Sequence, residues 1–196
     1  STIQRIVRDI LEVCTLSKDI VIDELPIIDV EFFFINLRAK SVGEIVESKY
    51  KCNNIVNDKE CGNIMEAKLD LTTIKPVFEK EVNPEIQLTD KVVVKMRYPN
   101  YSIMRKVEEL PEIDKKTFII VSSIEYVYDK NGMHSYKDYT TDELKEFVEG
   151  LTEENYKKLE AYVDRFPAVA AKIEAKCPKC GFDHKVRYTD FFDFFI

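Results

Sequence analysis

Residues 51–71, KCNNIVNDKECGNIMEAKLDL, change the period of the chain and with it the kind of fold it can adopt. The first half is polar and turn-forming. In the second half Met65, Ala67, Leu69 and Leu71 alternate with polar residues, the period of a half-buried strand. A hairpin carrying Cys52 and Cys61 is the simplest arrangement that satisfies both halves. Its cysteines find a counterpart in residues 177–181, CPKCG, where Cys177 and Cys180 have the two-residue spacing and trailing glycine of half a zinc-ribbon site. Eight residues separate Cys52 from Cys61, more than usual for such a pair, yet a hairpin with a long tip still brings both thiolates together. The four cysteines therefore predict a structural Zn2+ site, built from a subregion of residues 50–71 and 176–190. The competing reading is four reduced core cysteines or a fortuitous CxxC. It is the weaker one, because both pairs sit in polar, glycine-flanked turns where cysteine is not needed for packing. His184 is an alternative ligand, although a surface histidine is the simpler reading.

Outward from the hairpin, helical spacing dominates. Ile3, Ile6, Val7, Ile10, Leu11 and Cys14 form one stripe of an amphipathic helix with Arg5, Arg8, Asp9 and Glu12 elsewhere, which puts Cys14 in the core. Residues 30–47, VEFFFINLRAKSVGEIVE, predict a second, more deeply buried helix that stops near Ser41 to Gly43. Ile86 with Leu88, and Val92 with Val94, Met96 and Tyr98, predict two strands around Thr89 and Asp90, the second closed by Pro99. Residues 117–136 are ambiguous, because Phe118, Val121 and Ile124 suit a helix while the β-branched density suits a strand; a helix through about Ile124 is the reading adopted. Asn131 and Gly132 then supply the positive φ angles of a tight turn. Thr140 and Glu143 form a capping box for a helix with Leu144, Phe147, Val148 and Leu151 on one face, ended near Gly150. Thr152 caps the next, whose stripe is Tyr156, Leu159, Val163 and Phe166. The expectation is an α+β fold over residues 1–196 as a single domain, with N-terminal and C-terminal helices around a small central β region and a zinc-ribbon-like staple of four cysteines.

Composition narrows the function. With 45% hydrophobic residues among 196, the chain can bury a core, and five Gly with seven Pro are too few for a sandwich of many tight turns. No apolar run approaches the roughly 20 residues that span a bilayer, and the first ten residues lack the regions of a signal peptide. A reducing, cytosol-like compartment is expected, which favours metal over disulfides for the paired cysteines. The net charge of −7 repels phosphate backbones overall. One segment runs against it: residues 91–107 carry Lys91, Lys95, Arg97, Arg105 and Lys106 beside Tyr98 and Tyr101, a mixture that can hold phosphates and stack bases. A zinc-ribbon nucleic-acid module is thus the runner-up, although the basic residues do not share one strand face and nucleic acid is the less favoured partner. Catalysis is poorly supported. The nucleotide, hydrolase and metalloprotease motifs are missing, His134 and His184 are the only histidines, and four thiolates leave zinc no open position for water.

Residues 25–44, LPIIDVEFFFINLRAKSVGE, with Arg38, Ser41 and Gly43 in their most distinctive part, resemble the baseplate hub proteins of T-even-type contractile-tailed bacteriophages. DELKEFVEGL, RFPAVAAKIEAKCPKCG and DFFDFF continue the likeness in order along the chain. Members of that family usually begin with a further strand and helix ahead of the residue that is Ile3 here. The resemblance implies a structural or assembly role in the tail baseplate hub, by protein–protein packing and without catalysis. It also implies other hub or tail proteins as partners, and a location in the virion baseplate reached from the host cytoplasm. The closing residues fit such a role: Phe191, Phe192, Phe194, Phe195 and Ile196 are five large apolar side chains among the last six, and they cannot all share one face of a strand or helix. Part of this tail is expected to meet a partner.

Overall fold

The structure, a computed structural model, describes residues 2–78 and 82–188. In chain order its first elements are α1 (Thr2–Cys14), α2 (Ile27–Ser41), β1 (Ile45–Lys51), β2 (Ile55–Val56), β3 (Lys59–Glu60), β4 (Ile64–Asp70) and β5 (Lys75–Val77). They are followed by β6 (Glu85–Thr89), β7 (Val92–Met96), α3 (Tyr101–Glu109), α4 (Glu112–Ser123), β8 (Ile124–Asp129) and β9 (Gly132–Ser135). The last are α5 (Thr141–Glu149), α6 (Glu153–Val163), β10 (Ala168–Lys176) and β11 (Asp183–Tyr188). The architecture is α+β, and the chain packs as two units: one from within residues 1–30 and 78–167, the other from within 31–77 and 168–196.

In the first unit β6, β7, β8 and β9 form an antiparallel meander. Leu88, Val94 and Met96 from its strands bury against Ile120 and Val121 of α4, Val148 of α5 and Leu159, Tyr162 and Val163 of α6. α5 and α6 start where side chains satisfy orphan backbone donors. The Thr140 hydroxyl accepts from the Glu143 backbone while the Glu143 carboxylate accepts from the Thr140 N–H at 2.7 Å, the predicted capping box. Thr152 accepts from the Asn155 N–H in the same way. The ambiguous stretch divides as expected: α4 ends at Ser123, whose hydroxyl donates back to the Ile119 carbonyl at 2.7 Å, and Ile124 opens β8.

Two expectations fail in this unit. The inward side of α1 consists of Gln4, Val7 and Leu11, whereas Ile3, Ile6 and Ile10 are exposed and Cys14, read as core, lies on the surface. The apolar set of this helix is wide enough for two rotations, and a hydrogen bond selects between them: the Tyr101 hydroxyl donates to the Gln4 carbonyl at 2.8 Å. The β8–β9 hairpin exists, but only Gly132 has positive φ there. Asn131 is instead tethered by its N–H to the Asp129 carboxylate at 2.7 Å. The turn with two left-handed residues lies in the other unit, at Asn57 and Asp58 between β2 and β3, with φ of 51° and 60°.

In the second unit β1 pairs antiparallel with β4, setting Val46 opposite Leu69, Ser48 opposite Ala67 and Tyr50 opposite Met65. The alternation is real along β4: Met65, Ala67 and Leu69 are buried while Ile64, Glu66 and Lys68 are exposed. The distinctive LRAKSVGE segment is a helix stop. Arg38 and Lys40 lie in the last turn of α2, where cations suit the dipole, and the Arg38 guanidinium donates to the Gly43 carbonyl at 2.9 Å. A second small sheet has β10 in the middle, between β5 and β11. The hydrophobic tail reading, Phe191 to Ile196, falls outside the described residues.

Candidate metal centre

The two hairpin ends of the second unit carry the four paired cysteines. Beyond β1 and β4 the strands stay in contact through Cys52, whose N–H donates to the Asn63 carbonyl at 2.8 Å and whose carbonyl accepts from Gly62 at 3.0 Å. Gly62 takes φ of 64°, which lets the chain bend around Cys61. Between β10 and β11 the CPKCG turn closes through Cys177: its N–H donates to the Phe182 carbonyl at 2.9 Å, and its carbonyl accepts from Gly181 at 2.8 Å. Gly181, at φ of 74°, is the positive-φ residue this turn requires.

These turns aim all four sulfurs at one point. Cys52 Sγ is 3.6 Å from Cys180 Sγ, Cys61 Sγ is 3.9 Å from Cys177 Sγ, and all four lie within 4.8 Å of one another. A disulfide needs about 2.05 Å, so none is formed. Sulfurs placed tetrahedrally at about 2.3 Å from a single ion would be about 3.8 Å apart, close to the two shorter separations given and inside the 4.8 Å that bounds the group. Cys52 and Cys177 are 0% and 1% exposed, beside Met65, with Tyr50 and Ala175 packed against them. Cys61 and Cys180 are partly exposed.

Backbone amides surround the sulfurs. The N–H groups of Cys180 and Lys179 point at Cys177 and bring its thiol down to about 6, the Cys180 amide contributing most. The Phe182 N–H lowers Cys180 in the same way. Burial pushes Cys52 up to about 12, against the opposing pull of the Asn54 N–H. The sulfurs thus differ in how readily each gives up its proton, and four thiolates at this spacing need a cation between them.

His184 departs from the reading as a surface histidine. It is 4% exposed, with Nε2 3.1 Å from Cys52 Sγ. Its ring meets Tyr50 edge-on at 5.2 Å and Phe182 at 4.8 Å between centroids. β11 sets it opposite Ala175, next to the sulfurs, a position that a polar stretch such as GFDHK does not announce.

The rival constellations are weaker. His134 Nε2 lies 3.1 Å from Asp129 Oδ1 and the Tyr139 hydroxyl 3.0 Å from His134 Nδ1, beside a cavity of about 360 Å³. Both nitrogens are thereby engaged, and Glu143 on the cavity wall is held in its capping box. Three of the five basic residues of the segment are already engaged: Lys95 pairs with Glu125 at 3.0 Å, Arg105 with Asp23 at 3.5 Å, and Arg97 stacks 4.0 Å over Tyr136. Among the described residues no helix is long and apolar enough to cross a membrane.

A family model described as T4 bacteriophage base plate protein matches residues 1–196 of the chain. No curated protein and no solved structure matches it.

Proposed function

Because the chain belongs to the T4 bacteriophage base plate protein family over residues 1–196, we propose that it is a structural or assembly component of the baseplate hub of a contractile tail. It would act by packing against other baseplate proteins. The whole-length family match is the observation that carries this reading. The chemistry of the chain agrees with it: among the described residues, four sulfurs gather around one point, an arrangement that leaves a bound metal no open position for substrate. The nucleic-acid alternative is the weaker one, since Lys95, Arg97 and Arg105 are occupied by Glu125, Tyr136 and Asp23.

Deleting the coding sequence from the phage tests the proposal. Lysates should then lack complete baseplates, supplying the protein in trans should restore them, and the protein should co-purify with other tail proteins. Complete, infectious tails in its absence would reject the reading. Mass spectrometry of purified particles separates a resident hub subunit from a factor that leaves after assembly.

A further inference from the structure

We propose that Cys52, Cys61, Cys177 and Cys180 bind one zinc ion as four thiolates, and that His184 stands outside the coordination sphere and donates a hydrogen bond to the Cys52 sulfur. This goes beyond the baseplate role and does not depend on it.

The geometry selects a single ion. Two of the six sulfur separations, 3.6 and 3.9 Å, match the edge of a tetrahedron with bonds of about 2.3 Å, and the others stay within 4.8 Å. A multi-iron cluster with its bridging sulfides would hold the thiolates farther apart than the 4.8 Å that bounds this group. Among the ions that accept four sulfurs singly, zinc binds more tightly than ferrous iron and has no redox chemistry to disturb the thiolates. The site is closed, which marks a structural centre.

The surroundings supply what such a centre lacks. Four thiolates on a divalent cation leave a net charge of about −2 (2 − 4), which burial makes costly unless donors surround the sulfurs. Donors are in place on three of them: the N–H of Asn54 on Cys52, those of Lys179 and Cys180 on Cys177, and that of Phe182 on Cys180. The Asn54 side-chain amide adds a contact of 3.6 Å to Cys180. His184 completes the set on Cys52, the most deeply buried sulfur. A metal-bound thiolate carries no proton, so the 3.1 Å contact requires Nε2–H as donor, which fixes the tautomer. His184 is therefore a positioning residue. It is not part of the group of four sulfurs that share one point, and its ring packs against Tyr50 and Phe182.

The ion also has a mechanical consequence. Cys61 and Cys177 are 116 residues apart, so one centre fastens the β1–β4 hairpin to the β10–β11 hairpin. The local sheets are small, and binding free energy becomes folding free energy for this unit.

The test uses the full-length protein purified under reducing conditions. Elemental analysis should give one zinc per chain, and cobalt(II) replacement should give the intense sulfur-to-metal charge-transfer band of four thiolates. Cys61→His, at a partly exposed ligand, should keep one metal with a weaker band, whereas Cys177→Ser should lose it. His184→Gln should keep the four-thiolate cobalt spectrum but bind zinc about tenfold more weakly against a competing chelator, the usual scale for a partner that supports a ligand. Nitrogen-15 spectra of the zinc protein should show His184 protonated at Nε2. Protein without stoichiometric metal, iron in place of zinc, or unchanged metal content in Cys177→Ser would overturn the site. A cobalt spectrum that changes its ligand set in His184→Gln, or an unprotonated Nε2, would overturn the role of the histidine.

Discussion

His184 Nε2 and Cys52 Sγ are 3.1 Å apart although 132 residues separate them in the chain. The contact exists because two hairpins that are weak alone converge on one point. β2 and β3 have two residues each, and the turn at residues 177–181 is tied by two backbone bonds. Neither segment can hide its polar backbone or bury a core by itself. The sulfurs, more than apolar area, are what these segments have to hold them together.

Metal removal should therefore loosen the second unit selectively. A strong chelator is expected to speed thiol alkylation, with the partly exposed Cys61 and Cys180 reacting before Cys52 and Cys177. The signals of Leu159 and Val148, in the core of the first unit, should stay in place. Residue-resolved NMR with added chelator checks this, and simultaneous loss of both cores would contradict it.

The cap of α5 gives a second expectation. Thr140→Ala removes the hydroxyl that accepts from the Glu143 N–H and donates to the Glu143 carboxylate, leaving that N–H without its cap while the backbone bond from residue 140 to the carboxylate stays. A loss of about 0.5–2 kcal/mol is expected, read as a lower midpoint in denaturant with unchanged slope. Thr140→Ser should recover most of it.

Acid should act through the same cap. Both hydrogen bonds from Thr140, the backbone one larger, hold the Glu143 carboxyl below its usual range. His134 does the same for Asp129, with the Asn131 N–H helping. The folded state therefore binds fewer protons than the unfolded one. The stabilisation is complete above the ordinary carboxylate range, about pH 4, and is lost as pH falls through the lowered folded values. Glu143→Gln should flatten the acid limb of stability against pH, while a limb identical to wild type would refute the assignment.

The sequence made the second unit legible where side chains alternate and obscured it where they are small. Met65, Ala67 and Leu69 announced β4, and the CPKCG spacing announced half of the metal centre. β10 passed unrecognised because its buried positions are Val169, Ala171 and Ile173 among alanine, lysine and glutamate, a composition that favours helix. Pairing with β5 and β11 overrides that preference. α3 was hidden inside the basic segment, although the Asn100 carboxamide oxygen accepts from the Ile103 N–H at 3.0 Å and Tyr101 and Val107 form its buried side. The charge of Arg97, Arg105 and Lys106 drew attention from a cap and stripe already present in the sequence. α1 failed differently: its apolar residues are right for a helix, and hydrogen bonds between Gln4 and distant residues, the Tyr101 hydroxyl 97 positions away and the Glu108 carboxylate, favour the rotation that turns Gln4, Val7 and Leu11 inward.

The final expectation concerns residues 191–196, where Phe191, Phe192, Phe194, Phe195 and Ile196 carry large apolar surface and Asp193 the sole charged side chain. One fully buried Phe contributes about 1.5–3 kcal/mol, so two at an interface contribute about 3–6 kcal/mol towards holding a subunit in an assembly. Asp193 separates the aromatic residues into two pairs, and adjacent residues point to different sides of a strand or helix. If one side of the tail covers its own chain, the other is left for a baseplate partner. A chain truncated after residue 190 should thus unfold at a temperature close to wild type and still bind metal, yet fail to enter baseplates. Phe191→Ala with Phe194→Ala should reproduce the defect in part. Normal incorporation of the truncated chain would remove the tail from the interface, and failure of its fold would assign these residues to the core instead.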